Sequence, residues 1–262
     1  MSPRRWLQAA AAAYDRLRPP PPGVTVLIYH RVGGGTDSAI DLPADTFADQ
    51  LRLITTTRPV LTLDTAVDQL SVGQAVDGVV LTFDDGTSDF TDVVVPLLQQ
   101  FDVPATLYAA TGPIDRGEPM PWGAPSTSWP ALRDAVATGL ITVGSHTRDH
   151  PVFQRLDSDA ANEQLDTSIA SIEAELGTRP RHFAYPKAVS PSPAAEIAVR
   201  ARFASAALAG SRVNRPGCDL LRLGRTPVLC GDGPEVFAAK LHGGLRLEGV
   251  VRDRVTSWRA QR

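Results

Sequence analysis

Short apolar runs alternate with helix-patterned stretches along nearly the whole chain, and this alternation constrains the fold more than any other feature. Strand-like runs occupy residues 24–29, 60–63, 79–83, 105–110, 141–145, 182–185 and 204–208, with a last one near 225–228. Helical patterns lie between them at 45–57, 89–101, 129–138, 159–176 and 193–202. The clearest is 159–176, with Leu165, Ile169, Ile172 and Leu176 on one stripe and Gly177 as its stop. Strands alternating with helices in this way imply a parallel sheet covered by helices. About seven such units in one uninterrupted domain are accommodated more economically by a closed barrel than by an open sheet.

Chemistry on a barrel of this kind belongs at the C-terminal strand ends, and reactive residue types collect there. His30 ends the first run, Asp84 and Asp85 the third, Ser145 and His146 the fifth, and Tyr185 with Pro186 the sixth. Two adjacent carboxylates closing a buried strand in "VVLTFDDG" lose hydration and repel each other, so something must compensate them. "GSHTRDHP" supplies two imidazoles, His146 and His150, four residues apart. In an extended strand they would stand roughly 13 Å apart, whereas one helical turn brings their Cβ atoms within about 6 Å. The chain is therefore expected to leave its strand near His146. Asp85 completes a three-ligand set that leaves one position open on a catalytic divalent ion, and that ion offsets the carboxylate repulsion. Asp84 shares the site only if the backbone turns beside it, which Gly86 permits, and it is then free to act as the proton acceptor. Such a site suits hydrolysis of a carbonyl compound.

These residues resemble the polysaccharide deacetylases that share the NodB homology domain, carbohydrate esterase family 4. "TFDDG" (82–86) is similar to the family's first motif and "SHTRDH" (145–150) to its second. Carried over residue by residue, the resemblance makes Asp84 the catalytic base and Asp85, His146 and His150 the metal ligands. It extends from "VLIYHRV" to "KLHGGL" and includes "VPATLYAATG" and "RHFAYP". It implies a distorted (β/α)7 barrel and metal-dependent removal of acetyl from an N-acetylated sugar, with Zn2+ as the expected ion and Co2+ or Ni2+ as alternatives.

The third motif of the family, R-x-P-[FY], is altered. Ala184 stands for the arginine and Lys187 for the aromatic residue. In the family the backbone N–H at that last position contacts the oxyanion, so Lys187 still qualifies as a substrate contact, next to Tyr185. The family's general-acid histidine has two candidates. His242 sits in "EVFAAKLHGGL", which reads as a helix, whereas His30 follows a strand end on the active face and is preferred. Its alternative role is to orient the following loop.

The remaining features bound the surroundings. The long Pro/Gly-rich loop at 111–130 leaves a strand end on the active face. It offers Trp122 as a sugar-stacking platform, while Trp129 opens a helix behind the N-cap candidate Ser128. The 26 basic and 29 acidic residues give no field that suggests nucleic acid, and no apolar run of about 18 residues spans a membrane. Residues 1–22 read as a helix and a proline spacer, residues 23–245 as the barrel, and residues 246–262 as a basic tail. That tail is a solvated helix or a peripheral contact with an anionic membrane or glycan carrier. Tyr14, Asp15 and Arg16 interrupt the N-terminal alanines before a long apolar region forms, so the expected location is cytoplasmic. Cys218 and Cys230 are expected to be reduced thiols. Three rival readings stay open: a non-catalytic glycan-binding module, an amidohydrolase of non-sugar amides, and an iron oxygenase with two histidines and one carboxylate. The last usually sits on an all-β fold.

Overall fold

The computed structural model describes residues 8, 10, 11, 14, 15 and 17–245. The basic tail at 246–262 and most of the N-terminal helix expected before the proline run lie outside the described residues. Seven parallel strands close into one barrel: β1 (Val24–Tyr29), β2 (Gly78–Asp85), β3 (Ala105–Ala109), β4 (Ile141–Ser145), β5 (His182–Ala184), β6 (Ser205–Ala209) and β7 (Leu223–Pro227). They are hydrogen-bonded in chain order, and β7 returns to β1 through Val26–Arg225, Leu27–Thr226 and Ile28–Pro227. The fold is thus the expected distorted (β/α)7 barrel, a single domain. The distortion is local. β1 pairs with β2 along its whole length, but β4 and β5 meet only at Ser145–Phe183.

Strand alternation sorts the side chains. Leu27, Tyr29, Leu81, Phe83 and Leu107 face outward and pack under α1 (Ala44–Thr57) and neighbouring helices. Phe183, Tyr185, Ala206 and Leu208 do the same for the helices of the second half. Inside the barrel lie Val26, Val80, Tyr108, Ala184 and Ala207, stoppered by α2 (Leu63–Ser71), which inserts Leu63, Ala66, Val67 and Leu70.

Helix α2 replaces the expected strand at 60–63. Only Val60 bridges to β2, and Thr62 then caps a helix by accepting from the Thr65 backbone N–H at 3.0 Å. The apolar residues that follow recur at helical spacing, so an apolar run too short to reveal its period was misassigned. The expected helix at 89–101 opens as a widened turn at Phe90–Val94 before the regular α3 (Val95–Phe101). Pro96 accounts for this: its ring would clash with the carbonyl four residues back in a regular helix, and a wider turn relieves the clash. The loop at 111–130 begins as a short helix, α4 (Thr111–Arg116), and leads into α5 (Trp129–Ala137), capped by Ser128 as expected. Further round the barrel come α6 (Ser158–Leu176), α7 (Pro193–Arg200) and α8 (Pro234–Leu241). Among the described residues, no helix is long and apolar enough to cross a membrane.

Candidate active site

The C-terminal strand ends open into a cleft of about 640 Å3, lined by His30, Asp84, Asp85, His146, His150 and Trp122, among others. β2 runs in register with β3 through Asp85, where the chain turns sharply: Asp85 has φ 79° and Gly86 φ 90°. The turn therefore begins at the aspartate itself, one residue earlier than the glycine alone suggests. This break in alternation lets both carboxylates reach one cleft.

The two histidines meet without a helix. His146 directly follows β4 and donates its backbone N–H to Ala109 O, 2.9 Å away. Thr147 and His150 then take left-handed conformations, φ 71° and 54°, and fold the chain back on itself. The Thr147 hydroxyl accepts from the His150 backbone N–H at 3.0 Å, and Gln164 of α6 clamps Asp149 at both its N–H and its carboxylate. The imidazole centroids end 4.8 Å apart. The expected helical turn is thus a strained loop, and unfavourable backbone conformations of this kind concentrate at functional sites.

Loop 111–130 braces this arrangement. Thr127 N–H donates to Gly86 O, and Thr111 and Gly112 N–H donate to the carbonyls of Thr147 and Arg148. A side chain at Gly112 would collide with Arg148 O and the Asp149 carboxylate, so glycine is what allows α4 to seat against the histidine loop.

The donor set fits a divalent ion. One ligand atom from each of Asp85, His146 and His150 lies within 4.8 Å of the others. His146 Nε2 and His150 Nε2 stand 3.5 and 3.4 Å from Asp85 Oδ1. The Ala184 carbonyl lies 2.7 Å from His146 Nδ1, which places the proton there and leaves Nε2 as the free donor atom. Burial pushes the Asp85 carboxyl up, and the imidazoles around it, His146 foremost, outweigh this and bring it to about 2. Burial lowers His150 to about 3, helped by His146 and Lys187, so the ring is neutral at ordinary pH, as a ligand must be.

Asp84 is not a free carboxylate. It is 3% exposed, and Arg225 of β7 grips it with two hydrogen bonds, Nη1 to Oδ1 at 2.6 Å and Nη2 to Oδ2 at 2.9 Å. Burial alone would raise its pKa, but the Arg225 charge outweighs this and holds Asp84 below its ordinary range. Arg225 was missed in the sequence. Its signal was a lone arginine in an otherwise buried strand, a charge that demands a carboxylate partner. Ala184 and Ala207 sit inside the same barrel and leave the guanidinium room, and the Tyr108 ring lies 5.2 Å from it. Position 184 carries no arginine, and the guanidinium beside Asp84 comes from β7 instead. Asp89 was missed as well. Buried beside the site, it accepts from Val32 N–H at 2.8 Å and Arg31 Nε at 3.1 Å, anchoring the loop that follows His30.

The other expected site residues divide. His30 lines the cleft together with Asp84 and Asp85. His242 is exposed at the end of α8 and is not a lining residue. Trp122, 42% exposed, stands edge-on to His150 with ring centroids 5.1 Å apart, and the Lys187 ammonium lies 5.3 Å from its ring. Tyr185 is set apart: fully buried among Phe153 and Phe183, its side chain belongs to the outer core and not to the cleft lining. Its ring lies on the outward face because Ala184 takes the inward position. Trp129 is structural, donating its indole N–H to Asp115 at 2.9 Å. Both cysteines are free.

A parallel barrel with an Asp-His-His cluster and a charged aspartate at its C-terminal mouth is an arrangement suited to metal-assisted hydrolysis. Residues 73–205, about half of the chain, match the family described as "Polysaccharide deacetylase". The chain belongs to the polysaccharide deacetylase family, hydrolases of carbon–nitrogen bonds other than peptide bonds. Among solved structures, IcaB from Ammonifex degensii is 26% identical, with TM-score 0.75, covering 87% of this chain and 98% of that one. The Streptococcus pyogenes deacetylase PplD, solved with acetate, is 21% identical with TM-score 0.73, covering 84% and 99%. A Bacillus cereus polysaccharide deacetylase is 22% identical with TM-score 0.70, covering 84% and 69%. No curated protein matches the chain.

Proposed function

We propose that the protein hydrolyses the N-acetyl group of an amino sugar in a glycan or glycan precursor, releasing acetate and a free amine. Asp85, His146 and His150 hold a divalent ion, most simply Zn2+. When bound, the ion supplies Lewis acidity and lowers the pKa of water. Asp84, kept ionised by Arg225, is the general base, and His30 is the group that protonates the departing amine. The Lys187 backbone N–H is the oxyanion donor, and Trp122 offers its face to a pyranose ring. The observation that carries this reading is the pairing, in one cleft, of a neutral-imidazole and carboxylate cluster with a second carboxylate held charged.

The experiment is acetate release from N-acetylglucosamine oligomers by zinc-loaded protein, with Asp84→Asn alongside. Release by the wild type that collapses in the variant supports the assignment. Oligomer binding with no acetate from either protein would make the fold a glycan-binding module instead.

A further inference from the structure

Beyond the metal cluster, the cleft has a wall built from the second half of the barrel, and that wall is cationic. Lys187, Arg212 and Arg222 all line it, whereas the only carboxylates lining the cleft among the described residues are Asp84 and Asp85. Asp84 is neutralised by Arg225, and Asp85 belongs to the metal cluster. Arg222 is balanced by Glu196 at 2.9 Å. Lys187 and Arg212 make no ion pair with a carboxylate among the described residues, so two unneutralised cations face the substrate space.

Both cations are held in place. Lys187 and the following Ala188 adopt left-handed conformations, φ 61° and 53°, costly for residues with side chains, and the ammonium rests against the Trp122 ring. Arg212 crosses β7 where Gly224 has no side chain. A Cβ there would strike the Arg212 stem, and the guanidinium is tethered through Nη2 to the Arg222 carbonyl. A guanidinium held in this way presents its remaining donors as a planar fork suited to an oxyanion.

From this wall we infer that the substrate carries an anionic group, a phosphoryl or carboxylate oxyanion, which Lys187 and Arg212 engage while the acetamido group lies at the metal cluster. This rests on the deacetylase reading and narrows it: a neutral N-acetylated sugar leaves both cations without a partner.

The test compares kcat/KM for acetate release from three substrates: an N-acetylhexosamine phosphate, an N-acetylhexosamine bearing a carboxylate ether, and the neutral methyl glycoside. Zinc-loaded wild type and the Lys187→Gln/Arg212→Gln double variant are assayed in parallel. The wild type should favour at least one anionic substrate over the neutral one by about tenfold or more, the scale of one charge-assisted hydrogen bond. That ratio should fall toward unity in the double variant and with added salt. The two anionic substrates reveal which oxyanion the wall reads. Equal rates on all three, or a preference that survives the double substitution because the metal alone grips the anion, overturn the inference.

If the wild type releases acetate from none of them, the deacetylase reading fails on its own. Calorimetric titration of the same three compounds into the metal-loaded protein then decides. Tighter binding of an anionic ligand that the double substitution abolishes upholds the cationic wall, and equal binding rejects it.

Discussion

The barrel divides into two unlike halves. From β1 to β4 the ladders are long, and the Asp-His-His cluster draws on two strands that flank β3, with Asp85 at the end of β2 and His146 and His150 just after β4. From β5 to β7 each ladder covers at most three pairs, and β5 is joined to β4 through one. The chemistry differs in the same way. The first half carries the Asp-His-His cluster and Asp84. The second supplies the arginine that holds Asp84 charged and the cationic wall beside it. The lesson is that the metal site is fixed locally by two strand ends, whereas the state of Asp84 depends on closing the whole ring. Asp84 and its partner are 141 residues apart in sequence.

The largest effect should come from the residue where the halves meet. Asp84→Asn is expected to lower acetate release by about two to four orders of magnitude while zinc stays bound, as loss of a general base does. Asparagine keeps an acceptor for Arg225, so the fold should persist. Zinc lost in step with activity would collapse the distinction between the two aspartates.

Arg225→Met leaves a buried carboxylate without its partner and should destabilise the protein by about 3–5 kcal/mol in denaturant melts. Adding Ala184→Arg to that variant moves the arginine to the strand where the third motif has it. Partial recovery of stability and activity would show that the guanidinium matters and not its strand of origin. No recovery would tie the role to β7.

Gly144→Ala probes the first half without touching a ligand. The new Cβ would lie 2.7 Å from His182 O and 2.8 Å from the Tyr108 ring, a contact only glycine avoids. A loss of about 1–3 kcal/mol is expected from such overpacking, and an unchanged melting temperature would mean that the interior yields more easily than its packing suggests.

The smallest effect lies at the opposite mouth, where Asp64 of α2 accepts from His182 Nε2 at 3.1 Å and pairs with Arg181. These partners, His182 first, hold the Asp64 carboxyl below its ordinary value of 3.8. The stabilisation is therefore present above that pH and is lost as pH falls through the lowered folded value. The carboxyl is one-third exposed, so solvent screening keeps the effect small. Asp64→Asn should flatten this acid-side slope, as seen in melts from pH 5 downward. A slope as steep as in the wild type would remove Asp64 as its source.

How much was legible follows the same division. Asp85, His146 and His150 could be read because each motif is short and ends an apolar run, so residue type and position coincide. The way the histidines converge could not, since left-handed Thr147 and His150 leave no periodic trace. Helix α2 was hidden by the strand-like "PVLTL", although Thr62 and Thr65 carried a capping signal. Arg225 was invisible for a stronger reason: its partner is reached across the barrel interior, and only closure brings them together. Tyr185 was misplaced because β5 has three residues, too few to reveal which face its neighbour takes.

The central claim is that one divalent ion gathers Asp85, His146 and His150. X-ray absorption at the zinc edge of the purified, zinc-loaded protein tests it most directly. One ion per chain is expected, with two imidazole nitrogens and oxygen ligands at about 2.0–2.2 Å, and the imidazole signal should be lost in His146→Ala. Zinc absent, or bound with a spectrum that His146→Ala leaves unchanged, would contradict the account.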